Sequence, residues 1–420
     1  MQALPGFRDF YPADAAVRNA VVGAWRRVAL GYGFEEYDGP MLEPLDLYAK
    51  KNAGGEEILG QLYRFEDGGG RAVALRPEMT PTLARMAAAK EKHFRKPMKW
   101  FATGSFFRYE RQQRGRLREF LQFNCDLLGE AGPAADAEII ALAIDTLRTY
   151  SLGAGDFVVR LSHRGAWIAY LESRGITGET ASGVLRVADK LERETDESLD
   201  AKLAPLTGDR LCAADLRAFV AGTTPAELEP VMRDLAARGL ADFVKVDLTI
   251  VRGLAYYTGT IFEIFDRAGT FRALAGGGRY DGLVGSLTGT GSPMPAVGFG
   301  MGDAVLCEMI ASLPHSAKAL EDAVQAARAR DVYVVIADEA HRPWALGLLQ
   351  SLRDAGLKSE VSLSPTKVGK QFQAAEQAGC THAVVVGGEW PMVRLKTLAT
   401  RVEEEISHDA LAARLKNQQV

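Results

Sequence analysis

Between Ser105 and Gly129 the chain reads SFFRYERQQRGRLREFLQFNCDLLG, which gathers Arg108, Arg111, Arg114, Arg116 and Arg118 into eleven residues. The formal net charge of the whole chain is −4. The arginines are therefore a local concentration of planar, forked donors, the chemistry that grips phosphate oxygens in pairs. Two strands turning at Gln112–Gly115 would set Arg108 and Glu110 on one face, beside Phe106. On the returning strand Phe120, Gln122, Asn124 and Asp126 share a face, and Leu121, Phe123, Cys125 and Leu127 share the other. A strand covered on both sides is normally apolar, so Gln122 and Asp126 require polar partners or a polar ligand. Taken alone, the arginines fit a solvated hairpin laced with salt bridges equally well.

Two further segments carry groups suited to binding. TIVRGLAYYTGTIFEIF, residues 249–265, holds Arg252, Tyr256 and Tyr257, and AGGGRYDGL, residues 275–283, adds Tyr280. Three glycines in a row, Gly276 to Gly278, let a backbone approach a ligand or another strand closely, and a tight hairpin turn would use them as well. They do not have the spacing of a phosphate loop or a dinucleotide fingerprint. In LRPEMTP, Glu78 is an acceptor suited to an ammonium group and Thr80 a hydroxyl that also serves as a helix cap before Pro81. Cys125, Cys212, Cys307 and Cys380 are far apart and the six histidines scattered. That pattern argues against a zinc site, a disulfide framework or a nucleophilic Ser, Cys or His constellation.

The elements that must position these groups follow from periodicity. Pro12–Leu30 reads as an amphipathic helix, followed by an extended piece interrupted by Pro40 and Pro44. From Arg71 a strand, a turn and a helix follow, then the long strands of 98–128. Long antiparallel strands joined in this way predict an α+β domain, here over 1–325, interrupted by a helical insertion at about 171–239. A linker, LPHSAKALEDAVQAARARD, leads to alternating strands and helices from Val332, which predict a separate α/β domain at 331–420 with a small parallel or mixed sheet. Over 420 residues, 47% hydrophobic and 25% charged, general disorder is excluded. No run approaches ~18 uncharged apolar residues, so no membrane span is expected. The first residues lack a basic stretch followed by an apolar core, so a cytoplasmic location is expected.

Together PGFRDFYP, the proline-bearing segment around Pro40, RPEMT, FRYERQQRGRLREFLQFNCD, VRGLAYYTG, GGGRYDGL and AVGFGMGD resemble the motifs of the histidyl-tRNA synthetases, class II aminoacyl-tRNA synthetases. The resemblance covers almost the whole chain. It implies a class II catalytic domain on an antiparallel sheet, a C-terminal anticodon-binding domain, and a homodimer joined around Pro40. The implied activity is activation of L-histidine with ATP to histidyl-adenylate, then transfer to tRNA(His), with Mg²⁺ accompanying ATP and no metal held by protein side chains. Arg108 and Arg252 would be the catalytic cations at the α-phosphate, with Glu110 on the adenine side and Arg111 and Arg116 on the outer phosphates. Glu78, Met79 and Thr80 would hold the amino group, and Gln122, Asp126, Tyr256, Tyr257 and Tyr280 would surround the imidazole. Three departures stand out: Asp126 where many bacterial members have Glu, Ala255 where Asp is usual, and Ala304 and Val305 in the Glu and Arg places of the last motif. A regulatory subunit of ATP phosphoribosyltransferase, which senses histidine without activating it, is the competing expectation. The 331–420 module and the intact Arg108, Arg252 and Tyr257 weigh against it.

Overall fold

The strands expected between 98 and 128 run from Met98 to Phe107 and from Glu119 to Leu128, antiparallel, with Gly104 opposite Gln122 and Trp100 opposite Asp126. The computed structural model describes residues 2–49, 55–111, 115–251, 256–288 and 294–417. The turn residues Gln112, Gln113 and Arg114, and Arg252 and Ala255 of the second motif, lie outside the described residues.

These two strands belong to an eight-stranded sheet. Its order is Glu35–Glu36, Met98–Phe107, Glu119–Leu128, Ala296–Gly302, Ala275–Arg279, Thr260–Asp266, Phe157–His163 and Val244–Val246. The interior pairings are antiparallel and only the two edge pairings are parallel. Alternation decides the two faces. Phe123, Cys125 and Leu127 enter the main core with Phe262, Phe299 and the helix Pro133–Arg148, while Gln122, Asn124 and Asp126 turn away from it. Trp25 of the helix Pro12–Gly31 stacks on Phe123 with centroids 5.5 Å apart, closing that face. The open face is bounded by the RPEMT turn and the start of the helix Thr80–Lys90, which follow the strand Ala72–Leu75 in the chain.

The helical run begins at Arg164, earlier than periodicity placed it. The helices Arg164–Ser173, Gly178–Ala188, Asp196–Thr207 and Ala213–Gly222 share their own core around Trp167, Leu185, Leu199 and Leu216. The last helix, Glu229–Ala237, instead sends Val231 and Leu235 into the core beneath the sheet. Helical spacing identifies a buried stripe without saying which core receives it.

The chain divides into two units, Met1–Leu320 and Glu321–Val420. The stretch read as a linker is the helix Pro314–Arg328, and the division falls inside it. Pro314 suits the first helical position, and Ala317, Leu320 and Val324 recur at helical spacing. In the second unit the strand order is Ser359–Val361, Arg330–Ile336, Cys380–Val386, Met392–Thr397 and Glu403–Ser407, the first three parallel and the last two antiparallel. The closing strand is acidic, Glu403 to Glu405, and pairs with Lys396 and Arg414 as a charged edge. Its hydrophobic alternation is too weak to read from sequence.

Candidate active site

The open face of the sheet has a floor without side chains. Gln122, Asn124 and Asp126 lie opposite Gly302, Gly300 and Gly298 of the next strand, and Gly300 and Gly298 lie opposite Gly276 and Gly278 of the one beyond. A Cβ at Gly298 would stand 1.9 Å from Asp126 Oδ1, and one at Gly300 would stand 2.5 Å from Gln122 Nε2. Glycine is required there because three polar side chains lie over the neighbouring backbone. The result is a narrow cavity of ≈ 70 Å³ whose walls include Glu78, Thr80, Tyr256, Tyr257 and Tyr280.

The polar groups of this cavity are partly pre-arranged. The Tyr280 hydroxyl donates to Asp126 Oδ1 at 2.5 Å, and Tyr256 donates to Glu78 Oε2 at 3.2 Å. Burial lifts the Asp126 carboxyl to about 7, against the opposing hydrogen bond from Tyr280, and the Glu78 charge pushes in the same direction as burial. Tyr280 is held well above the usual phenol range by its own burial and by Asp126. Gln122 Oε1 and Asn124 Nδ2 are buried without a hydrogen-bond partner among the described residues. Orphaned buried polar atoms of this kind are costly unless a ligand or water satisfies them. Alternation placed Asn124 on this face but did not single it out; its signal was the same as that of Gln122 and Asp126.

Arg76 holds the RPEMT turn in place. It is 1% exposed, donates to Ser105 O at 3.1 Å and Gly39 O at 2.9 Å, and meets Asp38 at 3.0 Å. Its guanidinium lies over Phe106, and Gly104 must lack a side chain because a Cβ would come 2.4 Å from Arg76 Nη2. The turn thereby presents Glu78 and Thr80 to the cavity. Met79 corrects the sequence expectation. It is fully buried with Ala102 and Phe106 and does not line the cavity, since the turn sends residues 78 and 79 in opposite directions.

Arg108 joins this pocket to a second, wider one of ≈ 780 Å³. Its Nε donates to Pro77 O at 2.9 Å and its guanidinium sits over Phe120. The strand ends at Phe107, so Arg108 and Glu110 are set by the departing chain and not by strand alternation, yet both face the wide cavity. Arg116 Nη1 pairs with Glu110 Oε2 at 2.8 Å on the same wall. Arg111 is exposed and lines neither cavity. Arg160, Arg193 and Arg272 come from elsewhere in the chain to complete a cationic rim. Local sequence gave no sign of them, because each is a single arginine in an unremarkable segment.

The last motif lies under this wide cavity. Asp303 is buried, pairs with Arg8 at 2.7 Å, and accepts from the Leu121 amide at 2.9 Å. It therefore fastens the N-terminal segment and the helix Asp303–Ser312 to the strand that carries Gln122. Val305 lines the cavity, and Gly115, at φ +72°, lies so near it that a Cβ there would be 3.0 Å from Val305 Cγ2. Among the described residues no group of three or more His, Cys, Asp or Glu is arranged to hold a metal ion. No helix among them is long and apolar enough to cross a membrane.

Comparison with known proteins places this geometry. The histidyl-tRNA synthetase family model matches residues 6–306, and an anticodon binding domain model matches residues 331–418. A histidine–tRNA ligase of Opitutus terrae is 42% identical, covering 99% of this chain and 98% of that protein. A histidine–tRNA ligase of Natronomonas pharaonis is 39% identical over 96% of this chain and 95% of its own length. Among solved structures, the histidyl-tRNA synthetase of Nostoc superimposes with a TM-score of 0.76 at 25% identity, covering 99% of both chains. A Bacillus halodurans protein described as an ATP phosphoribosyltransferase regulatory subunit/histidyl-tRNA synthetase shares the fold, with a TM-score of 0.64 at 22% identity over 89% of this chain and 96% of that one.

Proposed function

This chain belongs to the histidyl-tRNA synthetase family, and we propose that its two joined cavities seat the two small substrates of a histidine–tRNA ligase, histidine in the narrow one and ATP in the wide one. The enzyme activates L-histidine with ATP, forming histidyl-adenylate and diphosphate, and then charges tRNA with histidine. The observation that carries the assignment of the cavities is the row of half-buried Gln122 and buried Asn124 and Asp126 over a glycine floor, sharing Arg108 with a cationic cavity.

In this reading the imidazole lies between Asp126, Gln122 and the tyrosines Tyr256, Tyr257 and Tyr280. An ionised carboxylate accepts only, which suits a ring N–H, while Gln122 either donates or accepts. Glu78 and Thr80 hold the α-ammonium group. Arg108, between the cavities, stands where the histidine carboxylate meets the α-phosphate of ATP, and Arg252 brings a second cation to that point by the motif it occupies. The carboxylate attacks the α-phosphorus and diphosphate leaves. The chain acts by alignment and by stabilising charge on the phosphoryl oxygens, with no protein nucleophile. Glu110 bounds the adenine side and Arg116 the outer phosphates; Arg111 would reach them only by moving inward. Magnesium would accompany ATP and neutralise phosphate charge, and Glu192 and Glu263 on the cavity wall would offer oxygen donors of the kind that ion accepts. The 331–420 unit binds the tRNA(His) anticodon, two chains pair around Pro40 as a homodimer, and the enzyme works in the cytoplasm.

Histidine-dependent ATP–pyrophosphate exchange tests the assignment. Exchange with histidine and with no other standard amino acid is the expected result. Tight histidine binding without exchange would instead support the histidine-sensing reading, which the aliphatic Val305 and Ala255 favour.

A further inference from the structure

The wide cavity has an aliphatic patch where a cation would be useful. The helix Asp303–Ser312 opens beneath it with Ala304 and Val305, in the places where the resemblance implies Glu and Arg. The base of the hairpin turn rests on that patch, with Gly115 close against Val305. Of the hairpin arginines described, Arg111 is turned out to solvent and Arg116 is engaged with Glu110. Arg118 lies over Tyr109 and donates to Glu110 O at 3.3 Å, and Arg108 is shared with the narrow cavity, so Arg116 is the described hairpin arginine that faces the wide cavity alone.

A different segment faces the same space. The connection between the strands Thr260–Asp266 and Ala275–Arg279 contributes Gly269, Phe271, Arg272 and Ala273 to the cavity wall. This connection is braced. Asp266 accepts from the Thr270 amide at 2.8 Å and the Phe271 amide at 2.9 Å, Gly269 takes φ +67°, and Phe271 packs on the main core. Arg267 anchors the other side by donating to Ala154 O and to Asp242 O. The backbone that carries Arg272 is therefore held before it by these bonds and after it by the Leu274 amide, which donates to Ile264 O at 2.8 Å, and its side chain lines the cavity with Arg116, Glu110 and Arg193. Arg272 is exposed, but unlike Arg111 it lies on the cavity wall; the desolvation it has there and the positive charge of Arg116 lower its pKa, Glu110 opposes them, and Arg193 lowers it further. A group crowded by like charges in this way gains most from a polyanion entering the cavity.

We propose that Arg272 is an ATP-binding residue, and that from the 267–274 connection it supplies the phosphate-directed cation that the helix at Asp303–Ser312 lacks. This rests on the assignment of ATP to the wide cavity. A guanidinium delivered from this connection enters the same cavity that one rising from the helix at Val305 would enter, and Gly115 can then lie directly against the valine.

The test is steady-state ATP–pyrophosphate exchange with the full chain, varying ATP and histidine separately. Arg272→Ala should raise the ATP KM about tenfold, the scale of one charge-assisted contact, while the histidine KM stays within about twofold. Arg272→Lys should recover most of that loss, because it keeps the charge. In the Arg272→Ala background, Val305→Arg should also recover part of it. An unchanged ATP KM in a folded Arg272→Ala variant would overturn the proposal. So would parallel rises in both KM values with a lowered melting temperature, which would make the residue a brace for the connection. Absence of exchange in the unmodified protein would instead remove the reading of the cavities themselves.

Discussion

The two cavities solve recognition in opposite ways. The narrow one is built from buried groups whose positions are settled by backbone register: Asn124 and Asp126 are 5% and 3% exposed, and Asp126 is already bonded to Tyr280. The wide one is open, and its cations sit on the departing end of a strand, a hairpin base, a helical insertion and a braced connection. An imidazole must be told from other small side chains, which requires buried donors and acceptors that a wrong ligand leaves unpaired. A triphosphate is distinguished mainly by its charge, and charge tolerates assembly from dispersed arginines. Substitutions in the narrow cavity should therefore act on selectivity and steeply, and those in the wide cavity on ATP affinity and in modest steps.

The largest effect is expected from Gly298→Ala. Its methyl group would fall on Asp126 Oδ1, so Asp126 must leave its bond to Tyr280. Histidine-dependent exchange should fall by roughly 10²-fold or more, while ATP affinity measured without histidine stays near normal. Equal losses for both substrates would break the contrast, showing that the floor supports the sheet as a whole.

A smaller effect is expected from Asp126→Asn, and it should depend on pH. Because burial raises this carboxyl to about 7, the acceptor-only form that suits a ring N–H prevails above that pH and is lost as pH falls through it. The histidine KM of the unmodified protein should accordingly rise as pH is lowered from 8 to 6 (values chosen about that pKa). Free histidine also titrates in this range, with an imidazole pKa of roughly 6.5, so the informative quantity is the difference between the two proteins. Asp126→Asn should cost about tenfold to a hundredfold at the upper end and little at the lower. A constant ratio across the range would show that Asp126 stays ionised throughout.

The smallest of the three belongs to the wide cavity. Arg116→Ala removes one cation from the outer phosphates and leaves the Glu110 carboxylate without its ion-pair partner, so the ATP KM should rise by about threefold to tenfold with the histidine KM unchanged. Glu110→Gln combined with Arg116→Ala should bring it partly back. If the single variant instead destroyed exchange, the wide cavity would be as finely arranged as the narrow one, and the comparison would fail.

Sequence alone reached the narrow cavity further than the wide one, for a physical reason. Strand alternation is a strict rule, so the shared face of Gln122, Asn124 and Asp126 could be read directly from EFLQFNCDLL. The same rule does not govern Arg108 and Glu110, because the strand stops at Phe107, although both do face one cavity. It also had no purchase on Met79, whose direction is set by a turn held by Arg76. The glycines of AGGGRYDGL and AVGFGMGD were visible, but their purpose depends on strand register, a long-range fact. Asp303 and Arg272 were harder still, since each is placed by residues far away in the chain: Asp303 bonds Arg8 and the Leu121 amide, and Arg272 shares a cavity wall with Arg116 and Val305. The linker LPHSAKALEDAVQAARARD does hold the division between the two units, but its helical form is hard to read because its apolar positions are mostly alanine, which marks a buried stripe weakly.

The glycine floor also limits how this protein could change. Most binding pockets can be reshaped from any wall, one side chain at a time. Here the whole underside is main chain, and Gly298 and Gly300 have no room for even a methyl group. Diversification toward another amino acid is thereby confined to the few side chains lying on that floor, Gln122, Asn124 and Asp126, and to the tyrosines above them. A route that begins beneath them must first displace a recognition side chain: Gln122 can swing aside for a methyl group at 300, whereas at 298 the backbone carbonyl of Cys125, 2.7 Å from the added Cβ, stands in the way as well as Asp126.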